Sequence, residues 1–273
     1  MNKTPSSWKA SRMHRRTVDE LGVAHTWGAG TEVIFLSNPL ANPVEWSGRV
    51  RDDLLALGYR VTTFEHRPSG LDWRSAVACV EAFLARRREP VALVGWSQGA
   101  AIAQEVALAA PERVRVAALL ATYGRQNEID KVLQESWDVL TDAGSDSLRL
   151  ALGLLTAFPP DRLADDSFVR SMRDAQSSWA GPLDPHARRR AATFISTYQD
   201  RLQDLACVAM PRLIMGFELD TDTFVSRARE VAQVIPGGEY VEFPGLGHAA
   251  PFSDPGLVWP TVVGFLKEHH PPA

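Results

Sequence analysis

Cysteine is nearly absent from the 273-residue chain. The two present, Cys79 and Cys207, lie too far apart for a C-x-x-C metal or redox pair and cannot build a disulfide framework; buried free thiols are the expectation. The N-terminal MNKTPSSWKASRMHRR has basic residues but none of the apolar stretch that a secretory signal carries. No later apolar run reaches the ~20 residues of a membrane span, so a cytoplasmic protein is expected. Positive charge is not in excess either. Twenty-nine basic against 33 acidic side chains give −4 at pH 7, which leaves no global field to attract nucleic acid or anionic lipid. There is no Walker-type loop and no H-E-x-x-H. Gly28-Ala29-Gly30 precedes a strand, whereas a dinucleotide fingerprint follows one. The expectation is cofactor-free, metal-free chemistry on a small molecule, with the oligomeric state left open.

What the chain does have is alternation of short apolar runs with helix-period stretches. The runs predict strands at Thr31–Ser37, Tyr59–Glu65, Pro90–Trp96, Val114–Thr122, Pro211–Phe217 and Glu239–Phe243. Between them fall helical patterns: Val50, Leu54 and Leu57, stopped by Gly58; Trp73, Val77, Val80 and Leu84, capped by Asp72; an Ala-rich helix to about Ala110; Phe224, Ala228, Val231 and Ile235; and Val258, Val262 and Phe265. Strands apolar on both faces and followed by helices point to an α/β fold with a covered parallel sheet. From Tyr123 to Leu205 the pattern turns helical, with Ile129, Leu133 and Leu140, then Ile195, Tyr198 and Leu202, broken at Pro159-Pro160 and Gly181-Pro182. The expected organisation is a core of residues 1–122 and 206–273, interrupted by a helical lid over 123–205.

Chemistry concentrates at Gly95-Trp96-Ser97-Gln98-Gly99, a G-x-S-x-G between a strand and a helix. That turn holds a serine in a strained conformation, and helix and strand approach too closely for a Cβ two residues to either side. A serine hydroxyl needs a base, and the base needs a carboxylate that fixes its tautomer. His14, His186, His269 and His270 lie in the N-terminal arm, the insertion and the tail, where solvation is expected. His66 follows a strand beside the turn-forming Arg67-Pro68-Ser69-Gly70 and reads as structural. His248, in Phe243-Pro244-Gly245-Leu246-Gly247-His248 after the last strand, emerges on the same carboxyl edge as Ser97, where open α/β sheets place their sites. For the acid, the loop after Phe217 offers Asp220 first, then Asp222 and Glu218.

The G-x-S-x-G elbow, the order Ser97, Asp220, His248, the helical insertion and the final Gly-His loop together resemble the α/β-hydrolase family from about residue 22 to 268. Within it, FELDTDTF and GRQNEID resemble small serine hydrolases of actinobacterial natural-product pathways. The resemblance implies a mostly parallel eight-stranded sheet, a lid inserted after strand 6, no cofactor, and hydrolysis through an acyl-enzyme. Acyl transfer also needs an oxyanion hole. Gln98 N–H is one donor. The family's other donor follows the first long strand, where this chain reads Ser37-Asn38-Pro39-Leu40-Ala41-Asn42-Pro43; proline has no N–H. The second donor is therefore missing at Pro39, supplied by Leu40, or replaced by the Asn38 side chain. Trp96 completes the candidate contacts. Trp137, Leu148, Leu152, Leu155, Phe158, Met172 and Trp179 in the lid could line an apolar pocket. Arg86-Arg87-Arg88 and Arg188-Arg189-Arg190 read as solvated helix faces or as C-terminal-turn charges favoured by the helix dipole. Three functions compete: a serine hydrolase acting on an ester, thioester or lactone; a lyase, cyclase or isomerase using the same site; and a non-catalytic small-molecule binder.

Overall fold

The computed structural model describes residues 14–36, 44, 47–142, 145–179 and 193–273. Eight strands form one sheet: β1 (His14–Asp19), β2 (Gly22–Trp27), β3 (Glu32–Leu36), β4 (Arg60–His66), β5 (Val91–Trp96), β6 (Val114–Leu120), β7 (Arg212–Phe217) and β8 (Glu239–Phe243). Their order is β1-β2-β4-β3-β5-β6-β7-β8. β1 pairs antiparallel with β2, and β2 with β4; every other pairing is parallel. From β3 the chain goes to β4 on one side and later to β5 on the other, so the carboxyl ends of β3 and β5 flank a crevice at a topological switch point.

The period-2 alternation of the strands builds two cores. Ile34, Leu36 and Leu93 face one side with helices α2 (Trp73–Leu84), α3 (Gln98–Ala109) and α7 (Val225–Val234). Val33, Phe35, Ala92 and Val94 face the other with α1 (Gly48–Ala56) and α8 (Pro255–His269). Alanines 100, 101, 103 and 107 are fully buried, and their small side chains let α3 lie close to the sheet. Asp72 caps α2, its carboxylate accepting from Ser75 N–H at 2.8 Å.

Between β6 and β7 come α4 (Glu128–Asp142), α5 (Asp146–Ala157), α6 (Asp166–Trp179) and short turns, without a strand among the described residues. The return to the core is anchored by polar groups. Buried Glu105 of α3 accepts from Tyr198 Oη at 2.7 Å and pairs with Arg201, while Gln104 donates to Tyr123 O at 2.7 Å.

Several expectations need correction. From His14 onward the N-terminal arm is a strand and not a tail, though His14 is exposed as expected: β1 and β2 form a hairpin in which His14 stacks on His25 and Trp27. Arg86 and Arg87 are not merely solvated; Arg86 ion-pairs with Asp19 and Glu20 of that hairpin, and Arg87 lies over Phe83 and pairs with Glu32. His270 is buried, 3.1 Å from Glu32 O, and His269 contacts Glu239. Cys79 is buried but Cys207 is exposed. Phe224 is outside the helical face; it precedes α7 at φ 56, and Arg227 is buried there instead. His66 ends β4, buried. His186 and Arg188 to Arg190 lie outside the described residues, as does the side chain of Trp179.

Candidate active site

Ser97 sits at the end of β5 and the start of α3 with φ 56 and ψ −126, a region that L-residues avoid unless surrounding structure enforces it. Its N–H is held by Leu120 O at 2.8 Å, and its carbonyl accepts from Ala100 N–H at 2.9 Å. A Cβ on Gly95 would come within 2.4 Å of Gly99 O and 2.5 Å of Ala100 Cα, so the turn closes only over glycine at that position. The Ser97 side chain is buried at the crevice. α3 begins at Gln98, so the positive end of its dipole lies beside the serine.

The candidate acid and base come from two loops tied together. Glu218 N–H donates to Phe243 O and Leu219 N–H to Leu246 O, at 3.1 and 2.8 Å. The Glu218 carboxylate accepts from Gly245 N–H at 2.8 Å, so this third-ranked acid is a loop tie. Asp220 is 4% exposed and lies 2.8 Å from His248 Nδ1. Its oxygens also accept from Asp222 N–H, Thr223 N–H and Thr223 Oγ1 at 2.8–2.9 Å. Burial alone would raise the Asp220 pKa, but the facing imidazole and the Thr223 donors hold it below its ordinary value.

Trp96 packs on the base. Its ring lies 5.1 Å from that of His248, and its Nε1–H donates to His248 O at 3.0 Å. Phe252 meets the indole edge-on. Trp96 thus engages the backbone and ring of the histidine.

The second-ranked acid also reaches His248. Asp222 Oδ2 stands 3.2 Å from Nε2, the nitrogen opposite the one facing Asp220. Burial disfavours a charged imidazole, yet the two carboxylates outweigh it and the His248 pKa is pushed up to about 9. Burial raises the pKa of Asp222. Sequence spacing ranks Asp220 above Asp222, whereas both carboxylates face the ring. The signal was present in the i, i+2 spacing of Asp220 and Asp222 in a loop that folds around its own first carboxylate.

The end of α5 covers both loops. Thr221 Oγ1 donates to Leu155 O and Thr156 O, each at 3.2 Å, and Ala249 N–H donates to Ala157 O at 2.9 Å. A Cβ on Gly247 would stand 2.9 Å from Ala157 O and 3.0 Å from Pro159 Cδ. Arg162 ion-pairs with Asp254 at 2.9 Å. A cleft of about 330 Å³ lined by Pro160, Leu219, Asp220 and Phe224 opens beside this contact. A larger cavity, about 1270 Å³, lies at the opposite edge of the strands among Arg15, Arg60, Arg88 and Arg115, away from Ser97. Asn38, Pro39 and Leu40 lie outside the described residues. Among the described residues no three His, Cys, Asp or Glu side chains converge to hold a metal, and no helix is long and apolar enough to cross a membrane.

The chain and its fold have counterparts. The model of the alpha/beta hydrolase family matches residues 24–260. A Mycobacterium tuberculosis protein that carries the name non-heme bromoperoxidase BpoC is 30% identical over 250 residues, spanning 88% of this chain and 95% of that one. The crystal structure of BpoC superposes with a TM-score of 0.82 over 93% of this chain and 98% of that one. The enol-lactonase from Burkholderia xenovorans shares the fold at 18% identity, with a TM-score of 0.76 over 93% of this chain and 100% of the other.

Proposed function

The chain belongs to the alpha/beta hydrolase family, and on that premise we propose that it is a serine hydrolase whose nucleophile is Ser97, base His248 and orienting acid Asp220. The observation that carries this reading is the buried 2.8 Å pairing of His248 Nδ1 with Asp220, on the sheet edge where a strained turn presents Ser97. Asp220 fixes the tautomer that leaves Nε2 as acceptor. Neutral His248 takes the Ser97 proton, Ser97 Oγ attacks an ester, thioester or lactone carbonyl, and the oxyanion draws on Gln98 N–H. The protonated histidine then returns the proton to the leaving group. Water, deprotonated by His248, releases the acyl group. Trp96 is the residue that keeps the ring in place, and residues 123–205 act as the lid over a small, largely apolar substrate. No cofactor enters this chemistry, and neither nucleic acid nor membrane is a partner in it.

Labelling of the full chain with an active-site fluorophosphonate, followed by peptide mapping, tests the reading. Label on Ser97 is expected, and equal labelling of Ser97→Ala would sink it. The contact of His248 Nε2 with Asp222 favours a second reading, a lyase, cyclase or isomerase in which His248 shuttles protons on substrate without a serine adduct. A stable acyl-enzyme on Ser97, seen by intact mass, counts against that alternative. A non-catalytic binder is excluded by any ester turnover that vanishes in His248→Ala.

A further inference from the structure

We propose that Asp222 is a latch on the general base: it engages His248 Nε2, the atom that must accept the Ser97 proton, and the base becomes competent only when that contact opens. The inference rests on the serine hydrolase reading for its consequence, but not for its geometry. A histidine has two ring nitrogens, and both are engaged here, Nδ1 by Asp220 at 2.8 Å and Nε2 by Asp222 at 3.2 Å. Among the described residues Ser97 Oγ makes no hydrogen bond. Facing two carboxylates, the ring is held as imidazolium with a proton on each nitrogen. An imidazolium has no lone pair with which to take a proton from serine.

The two aspartates are built for different tasks. Asp220 is enclosed and saturated by donors from Asp222 N–H, Thr223 and His248. Asp222 keeps 34% of its side chain exposed, and its carboxylate meets only His248 among the described side chains, so it is free to swing. Besides burial, the nearby carboxylates Asp220 and Asp130 of α4 disfavour a negative charge on Asp222. The Tyr123 hydroxyl is kept neutral by burial and by Asp130 and Asp222, and Arg227 of α7 stands 3.4 Å from Asp130. Opening therefore runs as follows: the Nε2 proton leaves to solvent past the exposed face of Asp222, the carboxylate loses its cationic partner and turns out, and the neutral Nε2 faces Ser97 Oγ–H. A substrate group that donates to Asp222 draws the carboxylate in the same direction.

The test is the rate of fluorophosphonate labelling from about pH 5 to 10 for the parent, Asp222→Asn and Asp222→Ala, alongside ¹⁵N titration of the His248 ring in the full-length proteins. In both variants the acid limb of the labelling profile is expected to move down by about one pH unit or more, with labelling near pH 7 rising about tenfold, and the ring titration is expected to move with it. Far-ultraviolet circular dichroism checks that the fold is kept. Limbs and ring titrations that coincide with the parent's would overturn the latch. If the parent is not labelled at any pH, the serine hydrolase reading fails, and the ring titration still decides whether Asp222 holds the imidazolium.

Discussion

The sheet and the helical segment between β6 and β7 solve opposite problems. Every inward residue of β3 and β5 is fully enclosed, as at Phe35, Leu36 and Leu93. In the helical segment Ile129, Val132, Val139, Leu148 and Leu155 point outward, Leu155 being 64% exposed. Apolar side chains bury at roughly 25 cal/mol per Å², so the sheet gains stability that these helices forgo. The enclosed strands hold the strained turn at Ser97, whereas the helical segment keeps apolar side chains at its surface.

The comparison can be pressed hardest at the proposed nucleophile. Ser97→Ala is expected to lower esterase turnover by about 10⁴-fold or more while leaving the thermal midpoint near the parent's; a large fall in the midpoint would mean that the elbow stabilises the fold as well as the reaction. Next comes packing. Leu93→Ala should cost about 2–5 kcal/mol in urea unfolding, whereas Leu155→Ala should stay within about 0.5 kcal/mol; equal costs would erase the distinction between sheet and covering. Gly247→Ala sits at the seam between the two. It pushes a methyl against Ala157 O and Pro159, and KM is expected to rise several-fold with kcat less affected, together with faster amide exchange in α5. An unchanged exchange rate would show that the seam yields without cost.

Smaller effects follow from charge. His248 has a folded-state pKa raised from 6.5 to about 9, so its contribution to stability is fully present below about pH 6.5 and is lost as pH rises through 9. The urea midpoint should fall over that window in the parent and stay flatter in His248→Gln. Smallest is Trp96→Phe, which keeps the ring but removes the donor to His248 O. About 1 kcal/mol of stability is expected to go, with a modest fall in kcat.

Much of this architecture was legible because continuous apolar runs announce buried parallel strands. The run Glu239–Phe243 coincides with β8 to the residue, and the other five runs match their strands to within one or two. The hairpin of β1 and β2 lacks such a run: HRRTVD is charged and largely exposed, and GVAHTW, though mostly buried, is interrupted by His25 and Thr26; contacts such as Arg86 with Asp19 help to hold the pair. The elbow was readable because its glycine requirement is local. Asp222 was harder: two residues from Asp220 it reads as a spare carboxylate, and only the wrapping of the loop around Asp220 brings it to the far side of the imidazole. Phe224, apolar and in helical register, reads as a helix-face residue, but it takes a positive φ at the end of this loop.

The seam at Gly247 and Ala157 bears on how such proteins can be re-engineered. One short stretch, Leu155 to Pro159, clasps the loop of Asp220 through Thr221 and the loop of His248 through Ala249 and Gly247. Exchanging the covering helices for those of a relative therefore means cutting the graft outside this clasp, so that donor helices inherit Ala157-Phe158-Pro159 together with the glycine that receives them. A junction placed inside it would deliver a new pocket and misalign the machinery beneath.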